Sequence, residues 1–254
     1  MMFSKNRVRF FFSLLFLLTT FFVFSQGELD TIRDYRRNSK SIDFSLNSNG
    51  YALGFRFCKR LTGFSSRLLG LQLAWLRHPK EVRVYNSYGS QSKFVYGKLN
   101  HFFTFRLYYG HQKELYSKRE GGVAINSHYL IGPSFGLLKP IYYDVIKHEN
   151  TIITERFDEN YIRNIGQIYG GASFFKGIDE ISVLMSAFAK VSLDFNINNK
   201  ESMSINSLEM GVMIDVFQKT VPIMASDVND FYFITFFIAY RFGVKSKKML
   251  NNQL

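Results

Sequence analysis

The sequence of 254 residues contains a single cysteine, Cys58, and only five histidines. One cysteine cannot form an internal disulfide, and no group of cysteines and histidines has the spacing of a structural zinc site. The fold must therefore be stabilised by packing or by a membrane. The sequence predicts no metal and no cofactor.

The chain also lacks an apolar run long enough to cross a membrane as a helix. The segment from Phe10 to Phe24 is about 15 residues long, and a spanning helix needs roughly 20. It follows a basic stretch at positions 5–9 and ends at Ser25, so residues 1–25 are predicted to be a secretory signal peptide cleaved before Gln26. An uncleaved anchor helix is the alternative. No cysteine sits at the cleavage point, which argues against a lipoprotein.

Acidic residues are too few to balance the basic ones, and the net charge is +12. Removal of the signal peptide takes away three cations and leaves +9. A basic surface favours anionic partners. Because the chain is exported, we expect membrane lipid and lipopolysaccharide as partners, together with other envelope proteins, and no nucleic acid.

Aromatic residues are in excess, with 28 Phe and 15 Tyr, while the mean hydropathy is −0.07. A transmembrane β-strand shows only alternate residues to lipid, so its average hydropathy stays near zero although its outer face is apolar. A soluble β-sandwich would give the same average but needs fewer aromatics. The composition therefore favours a transmembrane β-barrel.

Eight segments alternate apolar and polar residues with a period of two, as strands do. They cover residues 42–47, 51–58, 69–75, 103–109, 129–137, 181–195, 208–217 and 231–242. Asn47–Gly50 forms a tight turn between the first two. The last, Tyr232–Phe242, rises about 25 Å at the usual strand tilt, which is the height of the apolar band of such barrels. Its alternating aromatics are typical of the signal that the barrel-insertion machinery reads.

An outer-membrane barrel with both ends in the periplasm has an even number of strands. We therefore predict an all-β fold, an eight-stranded antiparallel up-and-down barrel over residues 41–243. Ten strands are the alternative, if Ile168–Phe174 forms a ninth strand and a tenth exists. A periplasmic lead-in at 26–40, a long excursion at 139–180 and a basic tail at 244–254 complete the organisation. A hairpin over Glu81–Tyr96 turns at Asn86–Gly89.

Seven charged residues fall on the polar faces of the predicted strands and are expected to face the lumen. They are Arg56, Arg106, Lys190, Asp194, Glu209, Asp215 and Arg241. Side chains just fill the interior of an eight-stranded barrel, so these charges are interpreted as structural ion pairs. A narrow pore for small solutes is the alternative.

Two loop segments are candidate partner contacts. Phe174, Phe175 and Lys176 place two aromatics beside mixed charges, and Pro222, Ile223 and Met224 form an apolar stretch inside a loop. Such a stretch is expected to rest on another protein or to plug the barrel.

A lipid-modifying barrel enzyme is the weakest alternative. It would need a serine activated by a histidine, and the adjacent Ser127 and His128 point to opposite faces of a strand. His148 and Glu149, with Glu155 and Asp158, are interpreted as a solvated acidic loop and not as metal ligands. No catalytic residue is predicted.

Several segments together resemble a family of small outer-membrane β-barrel proteins from Bacteroidota. They are Asn47–Phe55, His78–Val84, Gly132–Pro140, Ala172–Glu180, Val221–Ala225 and Tyr240–Gly243. The resemblance covers nearly the whole mature chain and implies a fold and a location, but no reaction or ligand. Some small barrels of that phylum are subunits of secretion or barrel-assembly complexes. This analogy favours a structural or accessory subunit of an envelope assembly.

Overall fold

The computed structural model describes residues 38–62, 64–85, 93–117, 122–147, 151–158, 165–198, 202–225 and 229–246. These residues form thirteen strands. In chain order they are β1 (Ser39–Asn47), β2 (Gly50–Arg60), β3 (Ser65–Leu76), β4 (Arg83–Val84), β5 (Phe94–Val95), β6 (Asn100–Tyr116), β7 (Ala124–Pro140), β8 (Tyr142–Ile146), β9 (Ile152–Arg156), β10 (Ile168–Gly171), β11 (Ser182–Asn196), β12 (Ser204–Phe217) and β13 (Tyr232–Lys245).

Eight of the strands close into an antiparallel barrel in the order β1-β13-β12-β11-β7-β6-β3-β2. The predicted eight-stranded barrel is therefore confirmed. The segment from Ile168, which would have been a ninth strand, forms β10 outside the barrel, in a three-stranded sheet of order β10-β8-β9. The first and last strands pair over nine residues, from Ser39 with Lys245 to Asn47 with Phe237, so the barrel sheet has no free edge.

The barrel is slightly longer than the sequence pattern predicts. β1 begins at Ser39, inside the predicted lead-in, and β13 continues to Lys245, beyond the predicted end at 243. Both ends extend because the two strands pair with each other there. The signal peptide, most of the lead-in, the turn at Asn86–Gly89 and most of the basic tail lie outside the described residues.

The connections differ between the two ends of the barrel. One end, here called the loop end, carries the turn at 48–49 and the long connections at 77–99, 141–181 and 218–231. The other end, the terminal end, carries the start of β1, the end of β13 and the shorter connections at 61–64, 117–123 and 197–203. The predicted hairpin exists as the pair β4-β5, and it lies at the loop end together with the excursion.

The outer wall of the barrel is apolar because each strand turns every second side chain outwards. Exposed residues on this wall include Leu53, Leu71, Ile131, Val191, Val212, Phe236 and Ile238. A closed sheet with such a wall satisfies its backbone internally and meets lipid with apolar side chains, which is the design of a transmembrane barrel. The described residues contain no helix long and apolar enough to span a membrane.

The interior is filled in layers. At the loop end an apolar cluster contains Ala52, Ala74, Leu76, Phe102, Leu138, Phe217, Val221 and Ile223. A second apolar cluster contains Leu68, Tyr108, Leu130, Phe188, Met213, Phe237 and Ala239. Charged side chains occupy the levels beside the second cluster: in β12, Asp215 precedes Phe217 on the loop-end side of Met213, and Glu209 lies on its terminal-end side.

Candidate functional sites: a neutralised lumen and a cap over the loop end

All seven charged residues assigned to the lumen from sequence are buried inside the barrel, each with no more than 4% of its surface exposed. The structure sorts them into two groups. Arg56, Lys190, Asp194, Glu209 and Arg241 form one cluster towards the terminal end. Arg106 and Asp215 form a separate pair nearer the loop end.

Glu209 is the centre of the larger group, here called the Glu209 cluster. Its carboxylate lies 3.1 Å from Nη2 of Arg56 and 3.0 Å from Nζ of Lys190, and it also contacts Arg241. The hydroxyl of Ser192 donates to it at 2.6 Å. Because one carboxylate contacts three cations, Glu209 offsets part of the repulsion between these buried positive charges.

A second acid supports the cluster from the side. Arg241 donates to Asp194 at 2.9 Å, and the Asn126 amide donates to the same carboxylate at 3.3 Å. His128 is fully buried and lies 3.3 Å from Arg56. The cations of the cluster are thus held by two acids and by neutral polar groups.

Asp43 was missing from the predicted lumen set, although it is 1% exposed and faces the same charges. The sequence pattern that places a residue in the lumen was present for Asp43, because it alternates with the outward residues Ile42 and Phe44. Gly54 is its partner on β2, and a Cβ at that position would lie 2.6 Å from the Asp43 carboxylate. Glycine at position 54 therefore makes room for the acid.

With Asp43 included, the fully buried charges inside the described barrel balance. There are four cations, Arg56, Arg106, Lys190 and Arg241, and four acids, Asp43, Asp194, Glu209 and Asp215. A balanced interior is what ion pairing in a low-dielectric space requires. The structure thus supports the interpretation of these residues as a packed core.

Arg106 and Asp215 form a two-point contact, with Nε and Nη2 donating to the two carboxylate oxygens at 2.9 and 2.7 Å. The remaining donor of Arg106 reaches Oε1 of Gln72 at 2.9 Å, and Ser134 donates to Asp215 at 3.3 Å. Both charges are therefore hydrogen-bonded on several sides, as full burial demands.

The Pro222 loop enters the mouth of the barrel. Ile223 and Val221 are fully buried in the apolar cluster of the loop end. The carbonyl of Ile223 accepts from the backbone of Leu99, and that of Pro222 accepts from the Asn100 amide. The sequence left two roles open for this loop, contact with another protein and closure of the barrel. Ile223 closes the barrel, and because it is buried it is not available to a partner.

Pro222 is exposed and Met224 is half-buried, so they flank the plug. Below them the interior continues with the Arg106–Asp215 pair, the second apolar cluster and the Glu209 cluster. The lumen is thus occupied at every level by packed or paired side chains, which is unfavourable for the narrow-pore alternative.

A folded cap covers the loop end. Among the described residues it consists of the hairpin β4-β5, the sheet β10-β8-β9 and the residues beside these strands, and it has its own apolar core. That core contains Phe94, Tyr143, Val145, Phe157 and Ile168. The predicted excursion is therefore not a plain loop, because its apolar residues pack against the β4-β5 hairpin.

Two polar contacts hold the hairpin side of the cap. The hydroxyl of Tyr143 lies 2.7 Å from the carbonyl oxygens of both Val95 and Lys98, which share its one proton, and burial raises the pKa of that hydroxyl. Lys98 forms a 2.6 Å ion pair with Glu81. Burial lowers the pKa of the Lys98 ammonium, and the contact with Glu81 opposes that effect.

The cap exposes apolar side chains beyond the lipid-facing wall. They are Val82 and Tyr85 beside β4, Ile152 and Ile153 on β9, and Ile165 before β10. β9 is also an edge strand, since it pairs only with β8 in the described sheet. Apolar side chains at a free edge are suited to contact with another protein.

Phe174, Phe175 and Lys176 are exposed on a turn between β10 and β11. This turn, here called the rim turn, lies against the outward face of the barrel at the loop end, because Phe174 packs on His101 of β6. Lys139 of β7 donates to the carbonyls of Pro140 and Lys176 and lies over the Phe174 ring. The rim turn is therefore fixed to the barrel wall.

The residues considered for catalysis are separated. Ser127 donates to the backbone carbonyl of Lys113, whereas His128 belongs to the Glu209 cluster. Of the acidic loop considered for metal binding, Glu155 pairs with Lys147 at 2.8 Å, and His148 and Glu149 lie outside the described residues.

One contact of the rim turn should respond to pH. Hydrogen bonds from Arg156 and Tyr142 lower the pKa of the Glu180 carboxyl. Because the pKa of this carboxyl is lower in the folded state than in the unfolded state, the contact stabilises the fold at pH values above the unfolded-state pKa. This stabilisation is lost as the pH falls through the folded-state pKa. We expect a carbon-13 titration of Glu180 to give a midpoint below that of a free glutamate and to return towards it in Arg156→Gln. An unchanged midpoint in the variant would contradict the pairing.

No protein-family model and no curated protein matches the chain. Two solved structures are similar to it in part. Neisserial surface protein A is 5% identical, with 83% of this chain and 96% of that chain covered and a TM-score of 0.40. Ail, the attachment invasion locus protein of Yersinia pestis, solved with the heparin analogue sucrose octasulfate, is 10% identical, with 83% and 97% covered and a TM-score of 0.38.

Proposed function

We propose that this chain is a non-enzymatic outer-membrane β-barrel that serves as a structural or accessory subunit of an envelope assembly. The cap is its contact surface. The long connections lie at the loop end, and the long loops of such barrels face outwards. The cap then projects from the cell, and the terminal end faces the periplasm.

The observation that carries the proposal is the contrast between the lumen and the cap. Among the residues that the structure describes, the lumen is charge-balanced and closed by Val221 and Ile223, and they leave no open channel for a solute or a substrate. The cap, by contrast, is built on its own core and exposes apolar residues at the β9 edge. A cap with a packed core and exposed apolar residues at its edge is suited to bind another protein.

The test is co-purification of the full chain from native membranes in mild detergent. The wild type is expected to bring down a partner in stoichiometric amount, measured by quantitative mass spectrometry. Ile152→Ser with Ile153→Ser is expected to reduce that partner about five- to thirtyfold, since two half-exposed interface isoleucines contribute about 1–2 kcal/mol together. Tyr116→Ser, which changes an even more exposed apolar residue at the terminal end, is the control and should leave recovery unchanged. Equal loss in both variants, or no stoichiometric partner in repeated preparations, would refute the proposal.

A further inference from the structure

At the loop end, the outward face of the barrel changes from apolar to basic between one outward position and the next on the same strands. Trp75, Phe103 and Leu137 lie side by side on β3, β6 and β7. The next outward positions on the same strands are Arg77, just beyond β3, and the pair His101 and Lys139. Such a change from aromatic to basic side chains marks the boundary between acyl chains and headgroups.

Arg77 is prepared for an anion at this boundary. Its guanidinium lies 4.8 Å from the ring of Trp75 and 5.2 Å from that of Tyr51. Stacking on two aromatic faces fixes the plane of the guanidinium and leaves its N–H edge as the donor side. A phosphate oxygen is the acceptor that this geometry fits.

The rim turn supplies the neighbouring part of the surface. Phe174 contacts His101, which in turn contacts Trp75, so the His101 ring lies between the rim turn and Trp75. Phe175 is 74% exposed, and its neighbour Lys176 is exposed as well. A bare phenylalanine in water is unfavourable, but at the headgroup layer its ring is buried among acyl chains while the adjacent ammonium meets phosphate.

Lys139 has a different part in this surface. It is 4% exposed, and its ammonium is occupied by two carbonyls and the face of Phe174. It is therefore a positioning residue that fixes the rim turn at the membrane boundary. Arg77 and Lys176 remain as the cations for a ligand: the Lys176 ammonium lies 5.2 Å from the centre of the Tyr142 ring, a contact that leaves its other N–H donors open, and its side chain is exposed.

From these contacts we propose that Trp75, Arg77, Phe174, Phe175 and Lys176 form a binding site for the phosphorylated glycolipid of the outer leaflet. Arg77 and Lys176 bind its phosphates, and the two phenylalanines enter the top of its acyl region. The site rests on the outer-membrane location proposed above. It assigns the rim turn to lipid and leaves the β9 edge to a protein partner.

Trp75 is the only tryptophan of the chain, so its fluorescence reports on this site alone. The folded full-length protein is inserted into vesicles of phosphatidylcholine, with or without bisphosphorylated lipid A. We expect lipid A to shift the Trp75 emission in a salt-sensitive manner. In phosphatidylcholine brominated at a single depth, bromines near the headgroup end of the acyl chain should quench Trp75 more strongly than bromines near the terminal methyl.

Three variants test the assignment. Arg77→Gln and Lys176→Gln are each expected to weaken lipid A binding about fivefold, the usual contribution of one basic residue at an anionic membrane surface. Phe175→Ser should weaken it without changing the salt dependence. Lys147→Gln, an exposed cation of the cap, should have no effect. Retention of the barrel is checked for each variant by the heat-dependent gel shift and circular dichroism.

The outcomes separate this inference from the proposed function. A protein that inserts into vesicles but shows no preference for lipid A, or whose variants bind lipid A as the wild type does, overturns the lipid site alone. A Phe175→Ser protein that keeps lipid A but loses a co-purified protein overturns it in favour of protein docking. A protein that resists insertion and stays dissolved without detergent overturns the proposed location as well.

Discussion

Replacing Glu209 with glutamine is expected to lower the free energy of unfolding by about 3–5 kcal/mol, because it leaves buried cations without their shared acid. Arg56, Lys190 and Arg241 all contact this carboxylate, and Glu209 itself is fully buried. Glutamine preserves the shape of the side chain, so the loss measures charge and not volume. The measurement is the urea midpoint of the folded barrel in phospholipid vesicles.

The control for this prediction is a surface acid with a similar partner. Glu155 pairs with Lys147 on the cap, where both side chains are partly exposed. Glu155→Gln should cost less than about 1 kcal/mol, since exposed pairs contribute little. If Glu209→Gln unfolds at the same urea concentration as the wild type, then the Glu209 cluster is not the electrostatic core inferred here.

The second large effect is expected on the outer wall. Ile238 lies in the middle of the outward face of β13, between Leu46 and Met210 of the neighbouring strands. Ile238→Arg should destabilise the barrel by about 2–4 kcal/mol, the cost of an arginine facing lipid near the bilayer midplane. Urea titration in vesicles measures this cost against the wild type.

Depth supplies the matched control. Val244 has a similar outward exposure on the same strand but lies at its terminal end, so Val244→Arg should cost about 0–1 kcal/mol. A soluble barrel would show no such dependence on depth, because both arginines would reach water. Equal costs at the two positions would therefore disprove the transmembrane assignment.

The barrel strands were largely predictable because their signal is local. In β13 the outward residues Ile234, Phe236 and Ile238 alternate with Thr235 and Phe237, and a period of two assigns each side chain to a face without knowledge of its neighbours. The requirement for an even number of strands then excluded nine and left eight or ten, since both ends of the barrel must lie on one side. The same rule placed the seven lumen charges, and applied to β1 it would also have found Asp43.

The cap could not be read in this way. β8, β9 and β10 have only four or five residues each, which is too short for a clear alternation. Their core partner is the β4-β5 hairpin, which lies far away in the sequence. Contacts between distant short segments leave no periodic trace, so the excursion resembles an irregular loop until it is folded.

The sequence alone determined which residues face lipid and which face the lumen, because alternation along a strand is a property of the backbone. Only the tertiary structure decided which charges meet, since the partners Arg56 and Glu209 are 153 positions apart and are brought together by closure of the barrel. It also decided that Ile223 closes the mouth and that Phe174 lies on the barrel wall, because the destination of a loop depends on packing against strands that its own residues do not specify.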